Sequence, residues 1–411
     1  MIVGTYPLVT TTFIDREILG LRRAGLPVGV LAVRRPPSEL PLSRAQEALA
    51  GEVCYLVPAR PRTVLVAHVS FMCRRPLAYL GVLAHLLHAR HPDLRARVKT
   101  IAHFGEAVLA AHLVRSRRPR ELYAHFADRA ATIALVMSRL LDVPYSLSLH
   151  AGADLFVEPV LLAEKVGGAR CVVTCTRRNR DRLASLLGDG AVTRVRVVPH
   201  GLDLSEYDGP RPGVDEQPLI LSVAQLRPRK GHADVLRACA RLRDRGYRFT
   251  CRLVGAGPQH DELVALTAEL GLQDVVDIAG ALPHDTVVEQ YRSATIFVLA
   301  CVEAGDGDVD GFPNAVAEAM ASSLPVVSTN LPAIREFVVD GESGILVPPA
   351  NPGALAHALA RLLDDDVMRK QLGERARETV ASTFDVDTNV RALRDALWPE
   401  ARAERRQEAS C

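Results

Sequence analysis

The sequence has no Cys-x-x-Cys pair, no long apolar run and no basic patch rich in aromatic residues, and each absence excludes a class of protein. The eight cysteines are scattered, most of them in apolar stretches, which is typical of a protein from a reducing compartment. The most apolar stretch, residues 63–89, is interrupted by Arg74, Arg75 and Pro76, so it is too short to span a membrane. Because no basic patch carries interleaved aromatic side chains, we do not expect nucleic-acid binding.

The charge is distributed unevenly along the chain, although the net charge is only +2. Residues 1–204 carry 28 Lys and Arg against 16 Asp and Glu, a net charge of +12. Residues 205–411 carry 22 against 32, a net charge of −10. The asymmetry suggests different partners for the two halves, unless it is only an arginine-rich surface.

The start of the chain lacks the basic segment of a secretory signal and predicts a strand. We therefore expect a cytoplasmic protein. Peripheral association with the inner face of the membrane stays open, because Arg74-Arg75 and residues 115–120 could meet anionic lipid or a lipid-diphosphate acceptor.

Short β-branched runs alternate with helical patterns, which predicts an α/β fold with parallel sheets, and 411 residues exceed what one core usually serves. In the first half we predict strands at residues 27–33, 51–57, 121–125, 146–150, 171–175 and 195–199, with helices at 13–24, 105–115, 129–141 and 178–186. In the second half we predict strands at residues 219–223, 249–254, 276–279, 296–299, 325–328 and 344–347. The helices expected there are 233–244, 260–270, 285–293, 314–322, 334–339, 352–363 and 386–398.

These elements divide into two Rossmann-like domains. We place an N-terminal, acceptor-binding domain at residues 1–204 and a linker rich in proline and glycine at residues 205–217. A C-terminal, nucleotide-binding domain follows at residues 218–384, and residues 385–411 form a helix that crosses back to the N-terminal domain and a polar tail. Since ligands bind at the carboxyl ends of parallel strands, we expect the site in a central cleft between the domains.

An acidic, glycine-rich loop joins a strand to a helix that begins near Asn314. The start of such a helix presents free backbone N–H groups and the positive end of the helix dipole, which favours a phosphate. Gly311 and Pro313 keep side chains away from a close ligand. Glu318 lies one turn into the helix, where its carboxylate could accept hydrogen bonds from two neighbouring hydroxyls, as a ribose offers.

The alternating acids of this loop, Asp306, Asp308 and Asp310, allow a second interpretation as a divalent-metal loop. The twelfth position counted from Asp306 is Ala317, however, whereas an EF-hand requires a glutamate there. We therefore predict no metal site.

The segment Asp310-Gly-Phe-Pro-Asn-Ala-Val-Ala-Glu318 resembles the E-x7-E signature of retaining family 4 glycosyltransferases, which have the two-domain GT-B fold. The surrounding form Gly-Asp-Gly-Asp-x-Asp-Gly-Phe-Pro-Asn is similar to the colanic-acid and exopolysaccharide branch of that family. The resemblance implies that Glu318 binds the ribose of a nucleotide sugar and that Asp310, one methylene shorter than the usual Glu, approaches the donor sugar. It also implies donor contacts from Gly311, Phe312, Pro313 and Asn314.

A basic loop after the strand at residues 219–223 is similar to the family element [GA]-R-L-x-x-x-K-G, whose Arg and Lys bind the donor diphosphate. The resemblance gives Lys230 the role of the Lys, while Gln225 stands where the family has Arg. Arg227 or Arg229 could supply the missing charge. Further along, Leu253-Val-Gly255-Ala-Gly257-Pro matches the family's Gly-x-Gly-Pro turn, which implies close approach of the backbone to the nucleotide.

The N-terminal half matches the family less specifically. Residues 6–25 resemble its first loop and helix, where Thr10-Thr11-Thr12 replaces the usual Ser-Glu-Thr, so these hydroxyls are candidate acceptor contacts; Thr12 could instead cap the helix. His150 and Asp154 belong to a family-like His-[Ala/Gly]-x-Asp loop, which places His150 beside the reacting sugar. His125 is a further acceptor-side candidate.

The expected activity is retaining transfer of a sugar from a nucleoside diphosphate to a hydroxyl, in polysaccharide, glycolipid or natural-product glycoside synthesis. The implied partners are a nucleotide sugar and a saccharide, lipid-linked or small-molecule acceptor, and no metal or other cofactor is expected. Two alternatives stay open: a nucleotide-sugar-binding partner without transfer activity, suggested by Gln225 and Asp310, and a sugar-nucleotide epimerase of the GT-B fold.

Overall fold

The computed structural model describes residues 1–156, 160–209, 217–305 and 307–399. Within these ranges the first half of the chain forms a seven-stranded parallel sheet with the order β3-β2-β1-β4-β5-β6-β7. Its strands are β1 (Ile2–Thr5), β2 (Leu31–Arg34), β3 (Cys54–Val57), β4 (Leu122–His125), β5 (Tyr145–Leu149), β6 (Val172–Thr174) and β7 (Val195–Val197). Its helices are α1 (Thr12–Arg23), α2 (Arg44–Glu52), α3 (Pro61–Arg74), α4 (Pro76–His88), α5 (Leu94–Val114), α6 (Arg129–Leu141), α7 (Leu162–Gly168), α8 (Arg177–Leu187) and α9 (Asp189–Val192).

The second half forms a six-stranded parallel sheet, again within the described ranges, with the order β10-β9-β8-β11-β12-β13. Its strands are β8 (Leu219–Val223), β9 (Thr250–Val254), β10 (Val276–Gly280), β11 (Ile296–Leu299), β12 (Val326–Thr329) and β13 (Ile345–Val347). The helices are α10 (His232–Asp244), α11 (His260–Glu269), α12 (His284–Ser293), α13 (Asn314–Ala321), α14 (Pro352–Asp364), α15 (Asp366–Thr383) and α16 (Val386–Leu397). The predicted architecture of two Rossmann-like parallel-sheet domains is confirmed.

Both sheets reverse their strand order once, between β1 and β4 and between β8 and β11. Ligands of doubly wound sheets bind at such switch points, because the loops leaving the two central strands diverge there and open a crevice. The basic loop follows β8 and the acidic loop follows β11. The topology therefore brings these two motifs together, although about 75 residues of chain separate them.

Each predicted strand is present, within a few residues of its expected bounds, but the helix predicted at residues 334–339 is wrong. Those residues form successive turns, in which Ile334 N–H donates to the Leu331 carbonyl and Phe337 N–H donates to the Ile334 carbonyl. Glu336 in these turns accepts hydrogen bonds from the backbone N–H groups at the start of α8, so tertiary contacts fix the segment. Four longer helices, α2, α3, α4 and α15, were not predicted.

The C-terminal helix α16 crosses back to the N-terminal domain and packs on α1, as predicted. Val390 of α16 lies so close to Gly20 of α1 that a Cβ on Gly20 would come within 2.5 Å of it. Val386, Leu393 and Leu397 of the same helix join an apolar cluster with residues of the first domain. Of the predicted linker, residues 210–216 lie outside the described residues, as does most of the polar tail, residues 400–411.

The two places where the chain passes between the domains lie side by side. Leu202 N–H donates to the Phe384 carbonyl at 2.6 Å, and Val386 N–H donates to the Leu202 carbonyl at 3.1 Å. Gly201 permits this contact, since a Cβ there would be 2.7 Å from the Cα of Val386. The two segments at which the chain passes between the domains are thus hydrogen-bonded to each other, which suits a hinge.

Gly231 fixes the position of the basic loop on the end of β11. Its backbone is left-handed, with φ of +69°, and a Cβ would lie 1.8 Å from the Ala300 carbonyl oxygen. The neighbouring Arg229 carbonyl accepts a hydrogen bond of 2.9 Å from Val302 N–H. The absence of a side chain at Gly231 thus lets the basic loop rest directly against the start of the acidic loop.

Replacing Gly231 by Ala is expected to lower the free energy of unfolding by about 2–4 kcal/mol, because a left-handed alanine is strained and its Cβ collides with backbone. Gly246→Ala is the matched control, since Gly246 has φ of +84° but no atom near its Cβ position. The control should lose only about 1 kcal/mol. Chemical denaturation of both variants measures the difference, and equal losses would contradict the close approach.

Candidate active site

The basic loop and the acidic loop meet in a cluster of charged side chains. Lys230 Nζ lies 2.6 Å from Asp310 Oδ2, and Arg229 Nε donates to Asp310 Oδ1 at 3.0 Å. Arg229 also pairs with Asp308. Burial acts to raise the pKa of Asp310, but the Lys230 and Arg229 charges hold it below its ordinary value. The carboxylate is therefore ionised, and it holds two cations at the switch point of the second sheet.

The structure distinguishes the two arginines that could replace the charge missing at Gln225. Arg229 belongs to the cluster, whereas Arg227 is exposed. Gln225 is half-buried at the start of the loop, where its carbonyl accepts a hydrogen bond from Arg227 N–H. Of the side chains near the family's Arg position, Arg229 is therefore the one next to Lys230.

Gly255 and Gly257 serve close packing between loops. A Cβ on Gly255 would lie 1.8 Å from the Ala224 carbonyl oxygen, and one on Gly257 would lie 2.4 Å from the Leu226 carbonyl oxygen. The turn after β9 is thereby pressed against the basic loop. Its contact with a nucleotide remains a prediction.

Glu318 is buried and bound by side chains of both domains. Arg16 of α1 donates to Glu318 Oε1 at 3.2 Å, and the Tyr291 hydroxyl donates to Oε2 at 3.1 Å. Arg16 also donates to the Tyr207 hydroxyl at 2.8 Å and approaches Nε2 of His284 to 3.2 Å. Burial acts to raise the pKa of Glu318, but Arg16 and His284 hold it below its ordinary value. The carboxylate predicted to bind a ribose thus forms an ion pair across the domain boundary.

His150 lies at the cleft in a cluster of aromatic rings from the N-terminal domain. The Phe13 ring stacks on His200, with centroids 4.1 Å apart, and lies 5.0 Å from the ring of His150. His125 is stacked beside His150 at 5.7 Å, and its Nε2 lies 3.3 Å from a Glu17 carboxylate oxygen. Burial, together with the charges of His200 and His125, lowers the pKa of His150 well below its ordinary value. The imidazole of His150 is therefore neutral near pH 7 and can donate or accept a hydrogen bond with a ligand.

Asp154 holds the loop that carries His150. Its two carboxylate oxygens accept hydrogen bonds of 2.8 Å from the backbone N–H groups of His150 and Ala127. Burial raises the pKa of Asp154 to about 8, and burial lowers the pKa of the neighbouring Lys165 to about 8. Through these two hydrogen bonds to backbone N–H groups, Asp154 connects the loop after β4 to the loop after β5.

The three threonines of the first loop differ in exposure. Thr10 is exposed, whereas Thr11 and Thr12 are buried. The Thr11 hydroxyl accepts from Leu8 N–H and donates to the Leu8 carbonyl, both at 3.0 Å. Thr12 is the first residue of α1, so the expectation that it caps this helix is wrong; the capping position is Thr11, which makes no side-chain cap. The Thr11 hydroxyl is therefore occupied by hydrogen bonds to the backbone of its own loop.

The two domains touch directly at the predicted donor loop. A Cβ on Gly311 would lie 3.2 Å from Ala151 Cβ, and one on Gly152 would lie 2.9 Å from Asp308 Oδ1. Asn314 Oδ1 lies 2.9 Å from His200 Nδ1. Phe312 and Pro313 are buried at the same junction. The motifs from the two halves, including Glu318 and the Lys230–Asp310 pair, therefore face one shared interface.

Among the described residues, one group has the composition and spacing of metal ligands: His150, Cys175 and His200, whose donor atoms lie within 4.8 Å of one another. The acidic loop offers a poorer cation site, because Asp308 and Asp310 are already paired with Arg229 and Lys230. Asp306, the first residue of the alternative metal loop, lies outside the described residues.

A cavity of about 720 Å³ opens between α8 and loops of the second domain. Arg177, Arg178 and Arg182 line it on one side, with Glu303 and Glu336 on the other. These arginines are not among the residues predicted from the sequence. The same holds for Arg16 and Tyr291, which bind Glu318. The pattern gives little signal for such residues, because an Arg or Tyr in an amphipathic helix is ordinary until its partner is known.

Comparison with known proteins agrees with this geometry. A family model described as Glycosyl transferases group 1 matches residues 207–379. AmsK from Erwinia amylovora, an amylovoran biosynthesis glycosyltransferase, is 35% identical over 209 residues, which cover 50% of each chain. WcaL from Escherichia coli strain K12, provisionally named a colanic acid biosynthesis glycosyltransferase, is 37% identical over 208 residues, which cover 50% of this chain and 51% of WcaL. The chain thus spans about half the length of these curated relatives.

Solved structures resemble the whole chain. HepE from Anabaena, crystallised with UDP, has a TM-score of 0.69 and 16% identity, covering 96% of this chain and 98% of HepE. Sucrose-phosphate synthase from Thermosynechococcus elongatus has a TM-score of 0.71 and 16% identity, covering 100% of both chains. Identities this low establish the fold alone. The chain therefore has the GT-B fold of these structures, and its residues 207–379 match the Glycosyl transferases group 1 model.

Proposed function

We propose that the protein is a retaining glycosyltransferase, which moves a sugar from a nucleoside diphosphate to a hydroxyl acceptor during synthesis of a polysaccharide, glycolipid or glycoside. One observation carries the proposal: Lys230 and Arg229 are held by Asp310 just before α13, and Glu318 follows one turn into that helix. Two cations beside a helix N-terminus suit a diphosphate, and a buried carboxylate nearby suits a ribose.

The charges of the cluster indicate how a donor would bind. Asp308 and Asp310 balance Arg229 and Lys230 in this structure, so an incoming diphosphate must take over the cations. Asp310 would then be free to accept a hydrogen bond from a sugar hydroxyl. The cations stay positive throughout and are fixed in place beforehand, which is the most effective way to stabilise a leaving group.

In the transfer step the bond between the anomeric carbon and the diphosphate oxygen breaks. The acceptor oxygen forms a bond to the same face of that carbon, and its proton passes to the departing phosphate oxygen. Lys230, Arg229 and the N-terminus of α13 stabilise the negative charge that develops there. Neutral His150 can orient the sugar through a hydrogen bond without competing for the diphosphate.

Donor binding also requires a change at Glu318. Its carboxylate is occupied by Arg16 and Tyr291, so a ribose and Arg16 would compete for the same oxygens. Separation of the domains at the hinge beside Leu202 would release Arg16. The same opening would expose the buried acceptor candidates of the N-terminal domain, Thr11, Thr12 and His125.

The names of the relatives support a polysaccharide role, and UDP in the HepE crystal makes UDP-sugars the first donors to test. A metal cofactor is not part of the proposal, since Arg229 and Lys230 supply the charge that a metal would otherwise provide. A binding protein without activity would retain UDP but release no sugar. An epimerase would convert the donor with no acceptor present.

Glu318→Gln is expected to weaken UDP binding about 10- to 100-fold, because a neutral amide loses the charge-assisted hydrogen bonds to the ribose. Isothermal titration with UDP measures the effect, with thermal unfolding as a check on folding. Glu206→Gln is the control, since Glu206 lies 3.8 Å from Arg16 but is half-exposed. It should bind UDP like the wild type. Unchanged affinity in Glu318→Gln would contradict the assigned role.

Lys230→Gln is expected to lower kcat about 100- to 1,000-fold, because the leaving diphosphate loses a preorganised cation. Arg227→Gln, which changes an exposed residue of the same loop, should lower kcat less than about threefold. Initial rates with a panel of UDP-, GDP- and ADP-sugars test both variants. Similar losses in the two would mean that the loop contributes only a diffuse positive field.

Excess EDTA is expected to leave the transfer rate within about twofold of the untreated rate, because protein cations stabilise the leaving group. Proton NMR of the product should show the anomeric configuration of the donor. Loss of activity that Mg²⁺ or Mn²⁺ restores would overturn the metal-independent mechanism. An inverted product would overturn the retaining one.

A further inference from the structure

The outer face of α3, α4 and the start of α5 is apolar and uncovered. Nine of the thirteen exposed large hydrophobic residues of the described chain fall between positions 65 and 98, so they form a cluster rather than the usual scatter. Their exposed fractions range from 41% to 87%. The nine are Leu65, Val66, Val69, Met72, Leu77, Leu80, Leu87, Leu94 and Val98. We call this surface the α3–α5 face.

The spacing shows that these residues line the helices on one side each. In α3, Leu65, Val69 and Met72 recur at helical spacing and point away from the buried Ala67 and Phe71. In α4 the exposed residues are Leu77, Leu80 and Leu87, opposite the buried Tyr79, Val82 and Leu86. Both helices are therefore apolar on two sides, while the core covers only one side.

The charge around this face is strongly positive. Residues 53–105 contain eight Lys and Arg but a single acid, Asp93. All eight are exposed: Arg60, Arg62, Arg74, Arg75, Arg90, Arg95, Arg97 and Lys99. A second copy of the chain placed face to face would bring these like charges together, which disfavours a symmetric dimer. An anionic partner is favoured instead.

We propose that the α3–α5 face docks on an anionic lipid bilayer, with its leucines and valines in the interface and its arginines against the headgroups. A surface that combines exposed leucines and valines with exposed basic residues has the composition of an interfacial anchor. Within the described residues no helix is long and apolar enough to cross a bilayer. The helices would therefore lie in the plane of the membrane, and the proposal does not depend on the glycosyltransferase reaction.

Co-sedimentation of the full chain with vesicles tests the proposal. The probes are vesicles of phosphatidylcholine alone and of phosphatidylcholine with about 30% phosphatidylglycerol, at about 0.1 M and about 0.5 M salt. We expect binding to the anionic vesicles at least about tenfold tighter than to the neutral ones, and weaker binding at the higher salt concentration.

Two triple variants separate the apolar and the electrostatic contributions. Leu65→Gln/Leu77→Gln/Leu87→Gln should reduce the partition coefficient on anionic vesicles more than about tenfold at both salt concentrations. The reason is that the variant loses the apolar groups that would be buried in the membrane interface. Arg62→Gln/Arg74→Gln/Arg95→Gln should reduce it more than about tenfold at low salt only. These side chains are exposed, so folding is expected to be retained, as thermal unfolding checks.

Control variants change exposed aliphatic and basic residues of the other domain. Val264→Gln/Val367→Gln removes two exposed valines of the C-terminal domain, and Arg241→Gln/Arg248→Gln removes two exposed arginines there. Both should bind vesicles like the wild type. Equal binding to neutral and anionic vesicles, wild-type binding by the leucine variant, or a dimer that this variant dissociates without any vesicle binding would each overturn the proposal.

Discussion

Two carboxylates at the boundary between the domains, the half-buried Asp310 and the buried Glu318, need cations beside them, because an unpaired charge removed from water would cost several kcal/mol. Asp310 takes its cations from its own domain, in Lys230 and Arg229. Glu318 takes Arg16 from the other domain. The first arrangement sets two cations side by side where the proposed diphosphate would bind, and the second joins the domains.

Because of this requirement, the charged groups of the cleft pair with one another. Every charged group assigned to the donor has a protein partner in the structure, so donor binding has to be an exchange of partners. Such an exchange can link binding to domain movement, since Arg16 and Glu318 belong to different domains. The segments at Leu202 and Val386, hydrogen-bonded side by side, have the arrangement of a hinge for such a movement.

The uneven charge of the chain also has a structural explanation. Residues 53–105 alone contribute a net charge of +7 to the +12 of the N-terminal half, and they include the residues of the α3–α5 face. The proposed reaction uses the other domain for the nucleotide, so under the two proposals the two halves would bind different partners on different surfaces. If the face docks on lipid as proposed, a membrane-bound acceptor and a donor from solution would meet in the cleft between them.

The sequence by itself determined the alternation of strands and helices, and hence two Rossmann-like domains, because burial on both faces of a parallel strand leaves continuous apolar runs. It also determined the motif residues Lys230, Asp310 and Glu318, since that combination of residue types at fixed spacing is specific. The amphipathic period did not distinguish the turns at residues 334–339 from a helix, because local pattern omits the contact of Glu336 with α8. It also gave no helix for residues 61–88, whose apolar residues occupy two sides.

Only the tertiary structure decided which side chains meet. Arg16 contacts Glu318 across 302 positions of sequence. Arg229, inside the turn Pro228–Lys230, reaches Asp310, whereas Arg227, which precedes this turn, is exposed. The exposure of the α3–α5 face was likewise decided only by the tertiary structure. An apolar helical residue looks the same in the sequence whether it is buried or exposed. Only the packing of the neighbouring elements decides which of the two it is.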